Sequence, residues 1–233
     1  MKTIGFIGAY DKTDLITNIA KALTDLDKKV LVIDTTKLTK AKYIVPSISP
    51  TKSYITNFEN IDFAIGFEDF SGIFKYLGLE EENEEKQKQE LPYDYILIDI
   101  DEKENFDKFN LQQAESNYFV TAFDLYSLKR GTEILQKIET PVKLTKVLFS
   151  YGITKSDEEY LDFLSLEYRV IWNEYAIYFT ISNEDNQVMQ ENQRVAQIRL
   201  KRLGNEYKES LAIIVQDIVK DVNINKVRKI IKG

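Results

Sequence analysis

The chain has 233 residues and contains neither cysteine nor histidine. Without cysteine there are no disulfides, no thiolate nucleophiles and no thiolate metal ligands, a usage that fits a reducing compartment. Without histidine, imidazole metal centres, Ser-His-Asp triads and histidine general bases are excluded outright. Glycine and proline are sparse, at 9 and 4 residues, and no linker rich in them divides the chain. No apolar run approaches the ~20 residues of a membrane-spanning helix. Met1-Lys2-Thr3-Ile4 leads straight into a strand pattern rather than a signal peptide, so the expectation is a cytoplasmic protein.

What is present is ordinary for a globular α/β domain: 43% hydrophobic and 30% charged residues. The net charge of −7 is unevenly distributed. Residues 79–107 carry twelve Asp/Glu against three Lys, and residues 185–233 carry ten Lys/Arg against six Asp/Glu.

Apolar, β-branched runs predict strands at Ile4–Gly8, Lys29–Asp34, Tyr93–Ile100, Tyr118–Ala122, Lys146–Tyr151 and Tyr168–Trp172, with short strands at Tyr43–Val45 and Ile61–Ile65. Helical spacing covers Thr13–Leu26, Phe67–Gln89, Leu111–Glu115, Ser127–Ile138 and Asp157–Leu166, and Gln187–Val222 reads as mostly helix. Strands alternating with helices imply βαβ units. The expected fold is a doubly wound, mostly parallel sheet with helices on both faces: one three-layer domain over 1–222 and a short basic tail over 223–233. In such sheets ligands bind beyond the carboxyl ends of the strands.

The stretch Ile7-Gly8-Ala9-Tyr10-Asp11-Lys12-Thr13-Asp14 lies at such an end and has the layout of a phosphate-binding loop. A working loop needs glycines so that backbone N–H groups converge, a lysine for the β/γ-phosphates and a hydroxyl for Mg²⁺. Gly8, Lys12 and Thr13 are in place, whereas Ala9 and Asp11 replace glycines. A Cβ at position 11 opposes positive φ, and a carboxylate facing phosphate costs ~4 kcal/mol at 4 Å and an effective dielectric of 20. Asp11 therefore reads as an internal anion that stays with Lys12 or caps the helix at Thr13–Asp14. Asp34 and Asp99 each end an apolar strand. Read from the residues alone, they suit strand-end bonding to backbone N–H groups or to Lys12. Asp101 and Glu102 read as loop residues.

FIGAYDKTDLITNIAKALTDLDKKVLVID resembles the opening of the ParA/MinD branch of P-loop ATPases, through Gly8, Lys12, Thr13, Asn18, Ala20 and Asp34. PYDYILID is similar to that family's Walker B strand, with Asp99 at the Mg²⁺-linked position. AESNYFVTAFDLYSLKRGTEIL and KVLFSYGITKSDEEYL follow in family order. The likeness spans about the first 150 residues. It implies the P-loop fold, a homodimer and a protein partner in a positioning or secretion system. It also implies a nucleotide site at Gly8, Lys12, Thr13, Asp34 and Asp99, with Mg²⁺ on Thr13 and Asp99. The departures fall on the chemistry. The family's first lysine, which reaches the partner's ATP, is Ile7; its second threonine is Asp14; its adenine-holding asparagine is missing at Phe149-Ser150-Tyr151. The reading is a catalytically degenerate positioning protein with a vestigial site and no cofactor. An active ATPase holding Mg-ATP and a nucleotide-independent adaptor are the alternatives.

The C-terminal part carries Leu211, Ile214, Val215, Ile218 and Val222 at core-packing spacing. Arg194, Arg199, Lys201, Arg202, Lys226, Arg228 and Lys229 form a basic surface, either a solvated face or a contact for non-specific DNA. The last segment, 225–233, sets Val227, Ile230 and Ile231 among cations. It suits a peripheral membrane helix of the MinD kind or a frayed polar end.

Overall fold

The computed structural model describes residues 1–46, 53–79, 90–150 and 155–233. Among the described residues eight strands form one sheet: β1 (Lys2–Ile7), β2 (Val30–Asp34), β3 (Tyr54–Phe58), β4 (Ile61–Ile65), β5 (Tyr95–Ile100), β6 (Ser116–Ala122), β7 (Val142–Phe149) and β8 (Val170–Phe179). Their order is β3-β4-β2-β5-β1-β6-β7-β8, parallel throughout except for the β3–β4 pair. The fold is thus the expected three-layer α/β arrangement of the P-loop NTPase kind.

The helices are α1 (Thr13–Thr24), α2 (Ala41–Ile44), α3 (Phe70–Tyr76), α4 (Lys103–Lys108), α5 (Leu125–Gln136), α6 (Lys155–Leu164), α7 (Asn183–Arg194), α8 (Asn205–Val219) and α9 (Ile224–Lys232). One face of the sheet packs against α1, α7, α8 and α9 through Phe6, Ile19, Tyr118, Leu211 and Ile231. The other packs against α3 to α6 through Ile7, Ile98, Phe106, Leu135 and Leu161. Because β2 and β5 are covered on both sides, every residue of each is buried, which explains their unbroken apolar runs.

Several boundaries differ from expectation. Residues 43–45 are not a strand: Ala41–Ile44 is a helical turn, and β4 pairs with the unforeseen Tyr54–Phe58. Helix α3 spans Phe70–Tyr76; the predicted continuation across 80–89 lies outside the described residues. Leu111–Glu115 is a single 3-10 turn at Leu111–Gln113, preceded by α4, which the acidic composition hid. β7 begins at Val142, Tyr151 lies outside the described residues, and β8 runs on to Phe179. The long helical region 187–222 is two helices, split where Ala196 adopts φ 49°. Asp185 holds that split: its carboxylate accepts from Gly204 N at 2.6 Å, and a Cβ on Gly204 would press on it at 3.1 Å.

The C-terminal segment neither frays nor stands free. In α9, Val227 and Ile231 are fully buried, so its apolar side already faces the core that α8 builds. Arg228 and Lys232 both engage Glu209 of α8. Ile231→Ala should therefore destabilise the fold by about 2–5 kcal/mol in urea unfolding. A tail held in reserve for a membrane would leave the midpoint unchanged.

Candidate functional site

In parallel register Phe6 lies beside Asp99, and Asp99 beside Asp34, so β1, β5 and β2 end together. The chain goes from β1 to β2 on one side and from β5 across β1 to β6 on the other. The loop after β1 therefore sits where the winding reverses, the usual ligand position in such sheets. That loop is Gly8–Lys12. Gly8 has φ 145°, and a Cβ there would lie 2.2 Å from Val120 O, so only glycine fits between β1 and β6. Asp11, by contrast, is not in the left-handed region, so its Cβ is tolerated in a loop shape that does not demand glycine there.

Lys12 is 2% exposed. Its ammonium donates to Gly8 O at 2.7 Å and stands 2.7 Å from Asp99 Oδ1. That second contact is an ion pair without hydrogen-bond alignment, which leaves the buried Asp99 Oδ1 with no aligned donor. Burial, opposed by Lys12 and reinforced by Asp34, pushes the Asp99 carboxyl up to about 7.

Asp11 does not pair with Lys12. Its Oδ1 accepts from Thr13 Oγ1 at 3.0 Å and Thr13 N at 3.3 Å, and its Oδ2 meets the Lys40 ammonium. Burial raises its carboxyl, but Lys40 and the Thr13 donors outweigh this and hold it below the ordinary range. Asp11 thus lies over the start of α1, where an anion is favoured. Asp14 in the first turn accepts from Gln193 of α7 at 2.9 Å, and burial raises its carboxyl.

Asp34 is committed to its own strand end. It accepts from Thr36 Oγ1 at 2.6 Å, Thr36 N at 3.0 Å and Ala41 N at 2.9 Å, which fixes the turn carrying Lys40. Asp101 accepts from Lys37 N at 3.2 Å, and Glu102 precedes α4; both lie in the connection after β5, as expected. Beside the loop, Tyr10 stacks on Phe149 at 4.8 Å and Phe149 on Phe179 at 5.0 Å.

A Mg-nucleotide is the group this fold implies. Its phosphate and metal would use Thr13 N, Thr13 Oγ1 and the Lys12 ammonium. The first two are engaged by Asp11 and the third by Gly8 O and Asp99. The cleft bounded by Gly8, Asp11, Lys12, Leu38, Lys40 and Asp101 measures about 80 Å³, and a pocket of about 400 Å³ that includes Phe149, Phe123 and Asn186 shares Tyr10 with it. As placed, the groups a phosphate would use are committed within the chain, Thr13 to Asp11 and Lys12 to Gly8 O and Asp99.

The structure brings Gly8, Lys12, Thr13, Asp34 and Asp99 together. It adds Lys40, Gln193 and Tyr10, which sequence reasoning missed because nothing local marks a lysine 29 residues away as the partner of Asp11. The basic residues divide. Arg199 and Arg202 share Glu191, and Arg228 engages Glu209. Arg194, Lys201, Lys226 and Lys229 are exposed and make no ion pair among the described residues. No helix among them is long and apolar enough to cross a membrane.

No family model and no curated protein matches the chain. Solved structures do. A ParA family ATPase from Chlorobium tepidum TLS is 14% identical, covering 100% of this chain and 98% of that one at a TM-score of 0.55. The septum site-determining protein MinD complexed with Mg-ADP from Pyrococcus horikoshii OT3 is 17% identical, covering 94% and 96% at 0.56. The MinC:MinD cell division protein complex of Aquifex aeolicus contains a chain 14% identical, covering 96% and 97% at 0.57. At these identities the likeness establishes the fold: this chain has the P-loop α/β architecture of ParA and MinD ATPases over essentially its whole length.

The buried carboxylate gives a pH signature. A raised Asp99 makes the folded state hold a proton that the unfolded state releases, so stability is full below about pH 4 and is lost as pH rises through about 7. Asp99→Asn should remove that component. Relative to the parent, its unfolding free energy should improve between pH 5 and 7.5; a constant difference would place the charge elsewhere.

Proposed function

We propose that the chain is a catalytically degenerate ParA/MinD-like protein, acting in spatial positioning or partitioning through self-association and partner binding rather than through ATP turnover. The class includes plasmid or chromosome partition and the placement of division, pilus or secretion machinery. One observation carries the degenerate reading: Asp11 occupies the Thr13 donors at the start of α1 and is itself held by Lys40. A phosphate would have to displace a neutralised internal carboxylate to reach the same atoms. The MinC:MinD complex supports the partner element by analogy of fold. Exposed Arg194, Lys201, Lys226 and Lys229 supply cations for an anionic surface such as DNA.

A second reading, an active ATPase with a non-standard loop, draws on Lys12, Thr13 and Asp99 lining one cleft. In it Lys12, Thr13, Asp34 and Asp99 hold Mg-ATP once Asp11 has swung away with Lys40.

Titration calorimetry and thermal shift with Mg-ATP and Mg-ADP separate the two. Under the degenerate reading millimolar nucleotide leaves the melting temperature unchanged, whereas ligand at a hundredfold excess over Kd stabilises by ~2.7 kcal/mol. A clear shift that Lys12→Ala abolishes would defeat the degenerate reading, and phosphate release above background would then support the ATPase one.

Repair provides the complementary measurement. Asp11→Gly combined with Ala9→Gly should gain nucleotide affinity and lose about 0.5–2 kcal/mol of stability, the range for removing an anion that satisfies a helix start. Unchanged stability would show that Asp11 is not acting as the internal anion.

A further inference from the structure

Helix α6 is tied to the sheet along its inner side. Leu161 is fully buried, Asp162 pairs with Lys146, Glu158 accepts from the Tyr178 hydroxyl at 2.5 Å, and Ser165 Oγ accepts from Trp172 Nε1 at 3.0 Å. The opposite side should be polar, as in most surface helices. Instead Tyr160, Phe163 and Leu166 recur every third residue and are 41%, 68% and 73% exposed. Spacing of three places them in one row along the helix and into the turn that follows it. None of the three joins either core cluster. Single exposed apolar residues are commonplace, whereas a row of large ones is the mark of a contact surface.

Charge selects the occupant. Residues 155–167 contain Asp157, Glu158, Glu159, Asp162 and Glu167 against Lys155 alone. Glu158 and Asp162 are turned inward, while Glu159 and Glu167 are exposed beside the apolar row. A second copy laid antiparallel on the same row would set these carboxylates against their own kind, and an anionic lipid surface or nucleic acid meets the same repulsion. A cationic amphipathic helix satisfies both features, with its apolar side on Tyr160, Phe163 and Leu166 and its Lys/Arg against Glu167 and the acidic surface around it. We infer that the outer side of α6 is a docking surface for a cationic amphipathic helix carried by a partner protein. The surface lies apart from the loop and holds whatever the loop binds.

The test uses the full chain and three synthetic peptides: an amphipathic Leu/Lys helix, a scrambled peptide of the same composition, and a Leu/Glu helix. Binding is read by fluorescence anisotropy and by backbone amide shifts. The Leu/Lys helix should bind, shift the α6 amides, and exceed the other two by about tenfold or more. Phe163→Ser with Leu166→Ser should weaken it by about tenfold without lowering the melting temperature, since both side chains are exposed. If that variant proves unstable, Glu167→Lys supplies the independent measurement, weakening the Leu/Lys helix alone. Failure of the Leu/Lys helix to bind overturns the inference. So does equal binding of the scrambled peptide, shifts confined to another face, or indifference of binding to both variants.

Discussion

A lysine ammonium in the interior needs an anion at contact distance, because desolvating either charge alone costs several kcal/mol. Lys12 is such a lysine, and the carboxyl ends of the central strands are organised around its pair with Asp99. β1 and β5 lie side by side in register, so the loop leaving β1 must cross the end of β5, where Asp99 is fixed. Asp34 ends the next strand at the same level and adds to the repulsion Asp99 experiences. It is drawn aside by Thr36 and Ala41, so Lys12 has one carboxylate to neutralise rather than two. The pair closes the loop from beneath. Removing Asp99 would leave the Lys12 ammonium buried without an anion, the costly case for an internal ion pair, whereas removing Lys12 would leave Asp99 to take up a proton.

Above the pair, the loop satisfies its own donors. Where an open phosphate loop presents converging N–H groups and a hydroxyl to solvent, here Asp11 supplies oxygen to Thr13 and Lys40 neutralises Asp11. Lys40 reaches the site because Asp34 anchors the turn between β2 and α2. The two strand-end aspartates thus have separate duties, one holding Lys12 and the other positioning the segment that holds Asp11. Fold and chemistry are separable in this architecture. The sheet and its reversal point position the loop, and there Thr13 bonds to Asp11 and Lys12 to Gly8 O and Asp99.

The charged surface is divided in a similar way. Much of the basic C-terminal part is spent internally, with Arg199 and Arg202 tying the connection after α7 back to Glu191, and Arg228 and Lys232 tying α9 to Glu209 of α8. What remains exposed there is a smaller set of cations than the composition suggests. At α6, acidic residues surround an apolar row that packs against nothing within either core. Such pairs at half-exposed positions contribute modestly to stability; their larger effect is on which partners the surface admits.

The amino-acid sequence by itself determined the layer architecture. Buried parallel strands must be apolar on both faces, and YILIDI and VLVID obey that rule, while the Leu211-Ile214-Val215-Ile218 stripe marks the one buried side of a helix. It also determined which atoms gather at the loop, because Gly8, Lys12, Thr13, Asp34 and Asp99 all follow or end strands. Periodicity failed where local pattern is weak or shared. Tyr43 and Ile44 are aromatic and β-branched yet close a helical turn, the acidic run over α4 hid a helix, and the single amphipathic stretch after Gln187 is broken at a positive-φ alanine. What only the tertiary structure decided is who pairs with whom. Asp11 takes Lys40 rather than the adjacent Lys12, Lys12 takes Asp99, and the apolar side of the last helix packs on the core rather than facing outward. Charge pairing and burial depend on distances set by strand register and helix packing across the whole chain, and sequence adjacency does not encode those distances.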